Sequence, residues 1–517
     1  MNKFKLIASA IIALIIATII TVFVLVICYD RKVWTITLII VAVVLINVSF
    51  GIYILNSQRH IYTKACWLFC IILLPLVGCF FFVVFGTLPM SRKDWRAEII
   101  NQAKFNKYEN YDFTKQYLLN HHEDATNIFH YNYRNLLKPI YAHNTIYPIA
   151  NNTAILENTV RLIRRANHFI HFETFIIHDG FFFRVVMAEL IKKAQAGIKV
   201  RFLYDWFGGF CHVKKKQIKE LKANGVEVGI FNPPGFNMFK GATNYRLHRK
   251  ALIVDNKYAL YGGSNIGDEY LSMSKQQNYW RDQNFLLEGE IVNSINIAFI
   301  NDWISFTDYS VTHEQKDQLM NRLGEYLVIH KATTTINMQL CNSAPNFIDK
   351  EVMNTMSAMI LRAKKSIQLV TPYFVPTELC SSALNIAARS GVNVKIIVPG
   401  KPDNKNFIVT VNRGQYPELL NMSCEVYEYD GFIHSKYLIV DDEYVFITTA
   451  NFDYRSFWHN FESGIIVQSV EFNQQMKNIF AEEISNSKQI NLKMAKTFLN
   501  LTARLRLMVF NLYKPLL

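Results

Sequence analysis

Two stretches of this 517-residue chain carry the same reactive residue types at the same spacing. One is "HRKALIVDNKYALYGGSN", from His248 to Asn265; the other is "HSKYLIVDDEYVFITTAN", from His434 to Asn451. In each, a lysine follows the histidine by two residues (Lys250, Lys436) and an aspartate by seven (Asp255, Asp441), with the asparagine ten residues further on. Read as strands, the alternation puts each histidine and its lysine on one face. One such spacing is expected by chance in roughly one chain in twenty. Two copies with matching flanks are a repeated half-site.

Two histidines, two lysines and two asparagines drawn together form a compact cationic pocket suited to a phosphodiester. One imidazole, neutral near pH 7, can attack phosphorus while the other, protonated, donates to the leaving oxygen. The second then serves as base for the incoming acceptor. Lys250 and Lys436 would hold the non-bridging oxygens, and Asn265 and Asn451 would add neutral donors. This chemistry calls for no metal and no other cofactor.

Each histidine needs a carboxylate on its other ring nitrogen. The motif aspartates stand at the far ends of their strands, roughly 23 Å away if the strand is straight. Better candidates lie downstream: Asp282 in "YWRDQNFLLEGE" and Glu462 in "HNFESGIIV", each ahead of an apolar run and at a comparable distance from its own motif.

The elements that must position these groups also come in duplicate. "HFIHFETFIIHDG" and "FRVVMAELIKKAQAGIKVRFLYD" read as strand, helix, Gly197 and strand. "KSIQLVTPYFVP" and "ELCSSALNIAARSGVNVKIIVPG" repeat the order around Gly391. A helix between two β-branched runs is the signature of a largely parallel sheet covered by helices. The expected architecture is α/β: two homologous halves, residues 150–335 and 336–517, forming one pseudo-symmetric catalytic unit. Residues 91–149 read as a juxtamembrane helical connector.

Ahead of it, residues 6–28, 33–55 and 65–88 carry almost no charge and are each long enough to cross a bilayer, so 1–90 reads as a membrane anchor. Lys3 and Lys5 resemble a signal-peptide start, but the apolar run is too long and no small-residue cleavage site follows. Three spans, with seven basic residues against four in the flanking segments, predict a multi-pass cell-membrane protein whose catalytic region is cytoplasmic. The eight cysteines form neither a zinc signature nor a disulfide framework. A net charge of +14 suits an anionic lipid surface, and the spans argue against nucleic acid as the partner. Residues 493–517, with Lys493, Lys496, Arg504 and Arg506 among apolar side chains, read as either a basic amphipathic helix at the bilayer interface or a packed terminal helix. Lys214, Lys215 and Lys216 read as a solvated helix start, and 180–186 as either an apolar lip or a packed helix.

"HRKALIVD…GGSN" and "HSKYLIVD…TTAN" resemble the paired HKD motifs of the phospholipase D superfamily. "LYDWFG", "GGSNIGDEYL", "WRD", "TPYFVP" and "NFDYRSF" are similar to one branch of it, the bacterial cardiolipin synthases, over most of the chain from about Ala65. The resemblance implies phosphatidyl transfer between two phosphatidylglycerols, giving cardiolipin and glycerol through a phosphohistidine. It implies His248 as nucleophile, His434 as general acid, and Asp255 and Asp441 as structural supports within the motif. The sequence departs from the pattern at Thr448, where a Gly is usual, and at "MSCEV", where Gly-Val is usual. Alternatives are the same chemistry with water or another alcohol as acceptor, a membrane-bound nuclease, or an inactive scaffold. The spans argue against the nuclease, and two complete H-x-K pairs against the scaffold.

Overall fold

In the computed structural model of the protein, the residues described are 31–57, 61–86, 104–121, 127–149, 151–210, 212–233, 244–273, 279–307, 310–345, 350–403 and 407–513. The chain divides into two units. One holds the N-terminal helices. The other runs from Met90 to Asn511 without Gly235–Asn244.

In the N-terminal unit, helix α1 (Arg31–Asn56) contains a stretch, Val33–Asn56, that is long and apolar enough to cross a membrane. The expected span at 6–28 lies outside the described residues. The expected span at 65–88 is not one helix. It is two, α2 (Ile61–Leu73) and α3 (Val77–Phe85), each too short to cross a bilayer. Pro75 supplies no N–H to continue α2, and Leu76 turns the chain with φ 63°. Gly78 lies so close to the Cys70 carbonyl that a Cβ would stand 2.5 Å from its oxygen. Trp67, Ile71, Cys79 and Phe82 then bury one another with Ile54 of α1.

The larger unit holds helices α4 (Asp112–Asn120) and α5 (Ile128–Leu136), then two sheets. The first comprises β1 (Asn144–Pro148), β2 (Phe169–Thr174), β3 (Lys199–Asp205), β4 (Glu227–Phe231), β5 (Ala251–Val254), β6 (Tyr258–Gly262) and β7 (Asn284–Gly289), in the order β1-β7-β6-β5-β2-β3-β4. The second comprises β8 (Asn337–Ser343), β9 (Ser366–Val370), β10 (Asn393–Pro399), β11 (Glu425–Tyr429), β12 (Tyr437–Val440), β13 (Tyr444–Thr448), β14 (Asn460–Gln468) and β15 (Ser487–Ile490). Its order, β8-β14-β13-β12-β9-β10-β11-β15, repeats the first and adds one strand. β1 belongs to the first sheet, pairing antiparallel with β7, although residues 144–148 were assigned to the connector from sequence. An edge strand of five residues without strict alternation carries little signal.

Helices α6 (Asn152–Arg165) and α7 (Phe181–Gln195) cover the first sheet, and α9 (Glu351–Arg362) and α10 (Glu378–Arg389) cover the second; α11 (Phe407–Asn421) follows β10. Between them in sequence comes α8 (Ile291–Phe306), which touches strands of both sheets and is buried on nearly every side. Its polar groups answer buried partners from the first sheet: Asn296 meets His171, and Asn293 meets Asn256. α12 (Leu501–Tyr513) lies near the C-terminus. The helix-to-strand returns turn at Gly197 (φ 83°) and Gly391 (φ 92°), a left-handed conformation that glycine adopts without steric cost.

In each half, the parallel strands point their C-terminal ends toward the start of the H-x-K strand: Glu173 of β2 pairs with Ala251, and Val370 of β9 with Tyr437. The opposite end is where the motif aspartates sit. Asp255, at φ 53°, accepts hydrogen bonds from the backbone N–H groups of Asn167, His168 and Phe169 at 2.8–2.9 Å. Asp441, at φ 54°, does the same for Lys364, Lys365 and Ser366. Each carboxylate thus ties the end of one strand to the start of its neighbour.

Asp255→Ala and Asp441→Ala should therefore each lower folding stability by about 2–4 kcal/mol, by orphaning three N–H groups and leaving Ala in a left-handed conformation. Thermal unfolding of the two single variants and the double variant checks this. The sites are independent, so their losses should add.

Candidate active site

His248 and Lys250 do not lie within a regular strand, and neither do His434 and Lys436. Each pair occupies a short link between a two-residue strand and the apolar strand that follows. Those two-residue strands set the geometry. Arg246–Leu247 pairs parallel with Asn460–Phe461 of β14, so the next residues, His248 and Glu462, come side by side. Phe432–Ile433 pairs parallel with Trp280–Arg281, which brings His434 beside Asp282. The His248 N–H donates to the Phe461 carbonyl at 2.9 Å, and that of His434 to the Arg281 carbonyl at 2.6 Å.

The two carboxylates singled out from sequence thus meet the two histidines, but crosswise. Glu462 of the second half holds His248 Nδ1 at 2.8 and 2.9 Å through its two oxygens. Asp282 of the first half holds His434 Nδ1 at 2.7 Å. With Nδ1 engaged, Nε2 is the nitrogen left for a substrate.

The carboxylates are themselves held. Glu462 is fully buried; it accepts the Thr449 hydroxyl at 2.6 Å and the Asn460 side-chain amide at 3.1 Å. Asp282 accepts the Gln283 N–H at 2.8 Å. Thr449 stands in register with Gly263 of the first half, and there a Cβ would come within 2.8 Å of Asp282 and 3.1 Å of Lys436 Nζ. The Thr448-Thr449 pair therefore introduces no backbone strain, because neither Gly262 nor Gly263 has positive φ. Glycine provides space in one half; threonine provides a donor in the other. Sequence reasoning missed Thr449, since its role follows from a partner thirteen residues away on the adjacent strand.

Both lysines are buried and fold back onto their own motifs. Lys250 Nζ donates to the His248 carbonyl at 2.5 Å, and Lys436 Nζ to the His434 carbonyl. Lys436 Nζ also lies 2.9 Å from His434 Nδ1. Burial lowers Lys250 to about 7 and Lys436 to about 8, against the pull of Glu462 and Asp282. Burial and the neighbouring lysines lower His248 to about 4 and His434 to about 3, so both imidazoles are neutral at pH 7. Burial would push Glu462 up, but His248, Lys250 and the Thr449 hydroxyl together hold it down at about 2.

The asparagines are partly committed. Asn265 donates to the Tyr270 hydroxyl at 2.9 Å and accepts the Ile176 N–H at 3.1 Å, leaving one amide hydrogen. The Asn451 N–H donates to the Ser456 hydroxyl, and its side-chain oxygen is buried without a partner among the described residues. Tyr270, also unanticipated, puts its hydroxyl 3.5 Å from His434 Nδ1. The surroundings of the two histidines differ. His434 stacks on Trp280 (5.6 Å) with Tyr270 edge-on, whereas His248 meets Phe175 at 5.1 Å. Arg249, inside the first motif, binds the Glu462 carbonyl and pairs with Asp302 of α8. Among the described residues no cluster of His, Cys, Asp and Glu could hold a metal ion.

Two α/β lobes that exchange histidine–carboxylate partners across a pair of H-x-K links define a phospholipase D-like protein. A solved structure of the same fold is the phosphatidylserine synthase of Haemophilus influenzae Rd KW20, with TM-score 0.55 and 16% identity over 72% of this chain and 95% of that one. The family model "Cardiolipin synthase, PLD-like domain" matches residues 159–303 and again 356–484. Cardiolipin synthase 2 of Bacillus anthracis is 32% identical over 85% of this chain and 84% of its own length. A cardiolipin synthase of Clostridium perfringens is 31% identical over 84% and 90%. The chain belongs to the cardiolipin synthase family.

Because kcat/KM reports the free enzyme, it should decline as pH rises above about 4, since His434 (about 3) must take up the proton it donates, and more steeply as Lys250 (about 7) and then Lys436 (about 8) lose theirs. It should fall on the acid side only toward about pH 4, where His248 gains one. A rate–pH profile checks both limbs. Glu462→Gln and Asp282→Asn should each lower kcat by about 10³–10⁴-fold with the fold intact. Thr449→Val should cost about tenfold, the worth of one hydrogen bond to a buried charge.

Proposed function

We propose that this protein moves a phosphatidyl group from one phosphatidylglycerol to another, as a phosphatidyltransferase that makes cardiolipin and releases glycerol. The observation that carries the reading is the crossed pair of His–carboxylate contacts, which engages both Nδ1 atoms and leaves both Nε2 atoms without a partner among the described residues, beside two buried lysines. In the first step His248 Nε2 forms a bond to the donor phosphorus, and the bond from phosphorus to the headgroup glycerol breaks. His434 gives a proton to the departing glycerol oxygen. In the second step His434 takes the proton of the acceptor's free glycerol hydroxyl, whose oxygen bonds to phosphorus and releases His248. A bound phosphodiester brings negative charge beside His434, which takes up from solvent the proton it gives in the first step.

Lys250 and Lys436 hold the non-bridging oxygens, and Asn265 and Asn451 contribute their remaining amide hydrogens. Asp255 and Asp441 act as supports at the far end. The two halves, with the paired HKD motifs, work as one pseudo-symmetric unit on anionic membrane lipids without a nucleotide or nucleic acid. The apolar segments at 6–28 and 33–55 anchor the protein by two passes, with the catalytic region on the cytoplasmic side. The basic flanks of the apolar segments support that orientation.

The test uses the purified full chain in phosphatidylglycerol vesicles, with lipid products resolved and free glycerol assayed. Cardiolipin and glycerol in equal amounts are expected. His248→Ala and His434→Ala should each abolish both products, and Lys250→Ala or Lys436→Ala should lower kcat by about 10²–10³-fold. Phosphatidic acid in place of cardiolipin would make water the acceptor. Full turnover in either histidine variant would refute the two-histidine mechanism.

A further inference from the structure

Singly scattered apolar side chains on a surface are ordinary. Here they gather at the end of the larger unit where the parallel strands point toward both H-x-K links. In the first half, Phe207 stands two residues past the C-terminal end of β3 with 63% of its surface exposed. Its ring covers the Arg246 guanidinium, two residues before His248. Phe181 opens α7 and is 50% exposed, while the next two residues, Phe182 and Phe183, are buried. Its N–H is held by Asp268, two residues before Tyr270. Met273, exposed as well, follows the same turn.

The second half presents α12 at the corresponding end. Phe510 and Leu507 of α12 pack with Val375, just beyond β9, and with Val411 of α11. One face of α12 is therefore buried. The opposite face, Leu501, Leu505, Met508 and Val509, is 53–75% exposed and recurs at helical spacing. A globular helix has no reason for a second apolar stripe. Arg504 and Arg506, both exposed, fall on the two borders between the faces, where arginines lie when a helix rests in a lipid interface with their heads among the phosphates. In the first half Lys214, Lys215 and Lys216 form a similar exposed basic edge, with Lys214 tied to Asp179 of the loop after β2.

We propose that this end of the catalytic unit docks directly on an anionic bilayer. Phe181, Phe207 and Met273 from the first half and the outer stripe of α12 from the second would enter the apolar layer, with the lysine edge and the two arginines on lipid phosphates. The inference rests on the proposed lipid substrate and adds which surface meets the membrane. A phosphatidylglycerol then reaches the site by sliding its headgroup inward, its acyl chains staying in the bilayer. Positive charge on both flanks favours lipid over a protein partner.

The test keeps the full chain in nanodiscs and has one readout independent of activity. Met273 and Met508 are exposed, so their oxidation by dilute peroxide, followed by mass spectrometry, should be at least fivefold slower in phosphatidylglycerol discs than in phosphatidylcholine discs. Equal rates in both would overturn the proposal whether or not cardiolipin is formed. The second arm compares turnover of bilayer phosphatidylglycerol with that of a short-chain analogue below its micelle concentration. Phe207→Ser combined with Leu505→Ser should lower bilayer turnover at least tenfold and leave monomer turnover within twofold. Val470→Ser, an exposed position at the opposite end, should change neither. An equal fall on both substrates, or no fall on either, would overturn the proposal. So would a change in oligomeric state in the Ser variant, which would assign the stripe to a second copy of the chain.

Discussion

The site depends on two parallel pairings only two residues long: Arg246–Leu247 with Asn460–Phe461, and Phe432–Ile433 with Trp280–Arg281. Each joins a strand of one half to the other half, and each ends one residue before a histidine and a carboxylate. No catalytic partnership is completed within a half. A histidine that meets its carboxylate only when the lobes are docked makes assembly of the lobes and assembly of the chemistry the same event. The glutamate shows the same dependence, since Arg249 of the first half binds its carbonyl while Thr449 and Asn460 of the second hold its carboxylate.

Burying two imidazoles, two ammonium groups and two carboxylates together is costly. Charges out of water are tolerated only when paired and hydrogen-bonded. Here each lysine folds onto the carbonyl of its own histidine, and each carboxylate has a donor besides its imidazole. With both imidazoles neutral, the two ammonium groups balance the two carboxylates, and burial softens the lysines to about 7 and about 8. The apolar cores on either side supply the stability that permits this burial, with Ile170, Val200 and Phe202 behind the first sheet and Leu369, Ile396 and Val426 behind the second.

Much of this was legible from the chain. The duplicated H-x-K spacing, the two strand–helix–strand runs turning at Gly197 and Gly391, and the carboxylates Asp282 and Glu462 are local patterns, and local patterns survive in a sequence. The crossing was not legible, because it joins residues 214 and 152 positions apart through strands too short to have a pattern. The same limit hid β1, which reads as loop until its partner β7 is known. The apolar run at 65–88 misled for another reason. Hydropathy counts length, whereas Pro75 and the close approach of Gly78 to Cys70 decide that the run folds back on itself.

The halves share a strand order and a reactive spacing, yet they are not interchangeable. Thr449 supplies a hydroxyl where Gly263 supplies room, Ser456 stands in register with Tyr270, and Ser435 stands where Arg249 reaches to Asp302. His434 consequently sits against Trp280 and Tyr270, whereas His248 meets Phe175 and a carboxylate that the Thr449 hydroxyl holds. In the proposed mechanism, a site that treated both histidines alike would have no means of separating the imidazole that bonds to phosphorus from the one that carries the proton. The differences sit in the residues that touch the histidines and their carboxylates, while the spacing that brings them together is kept. Divergence confined to that layer gives the two histidines unequal surroundings within one architecture.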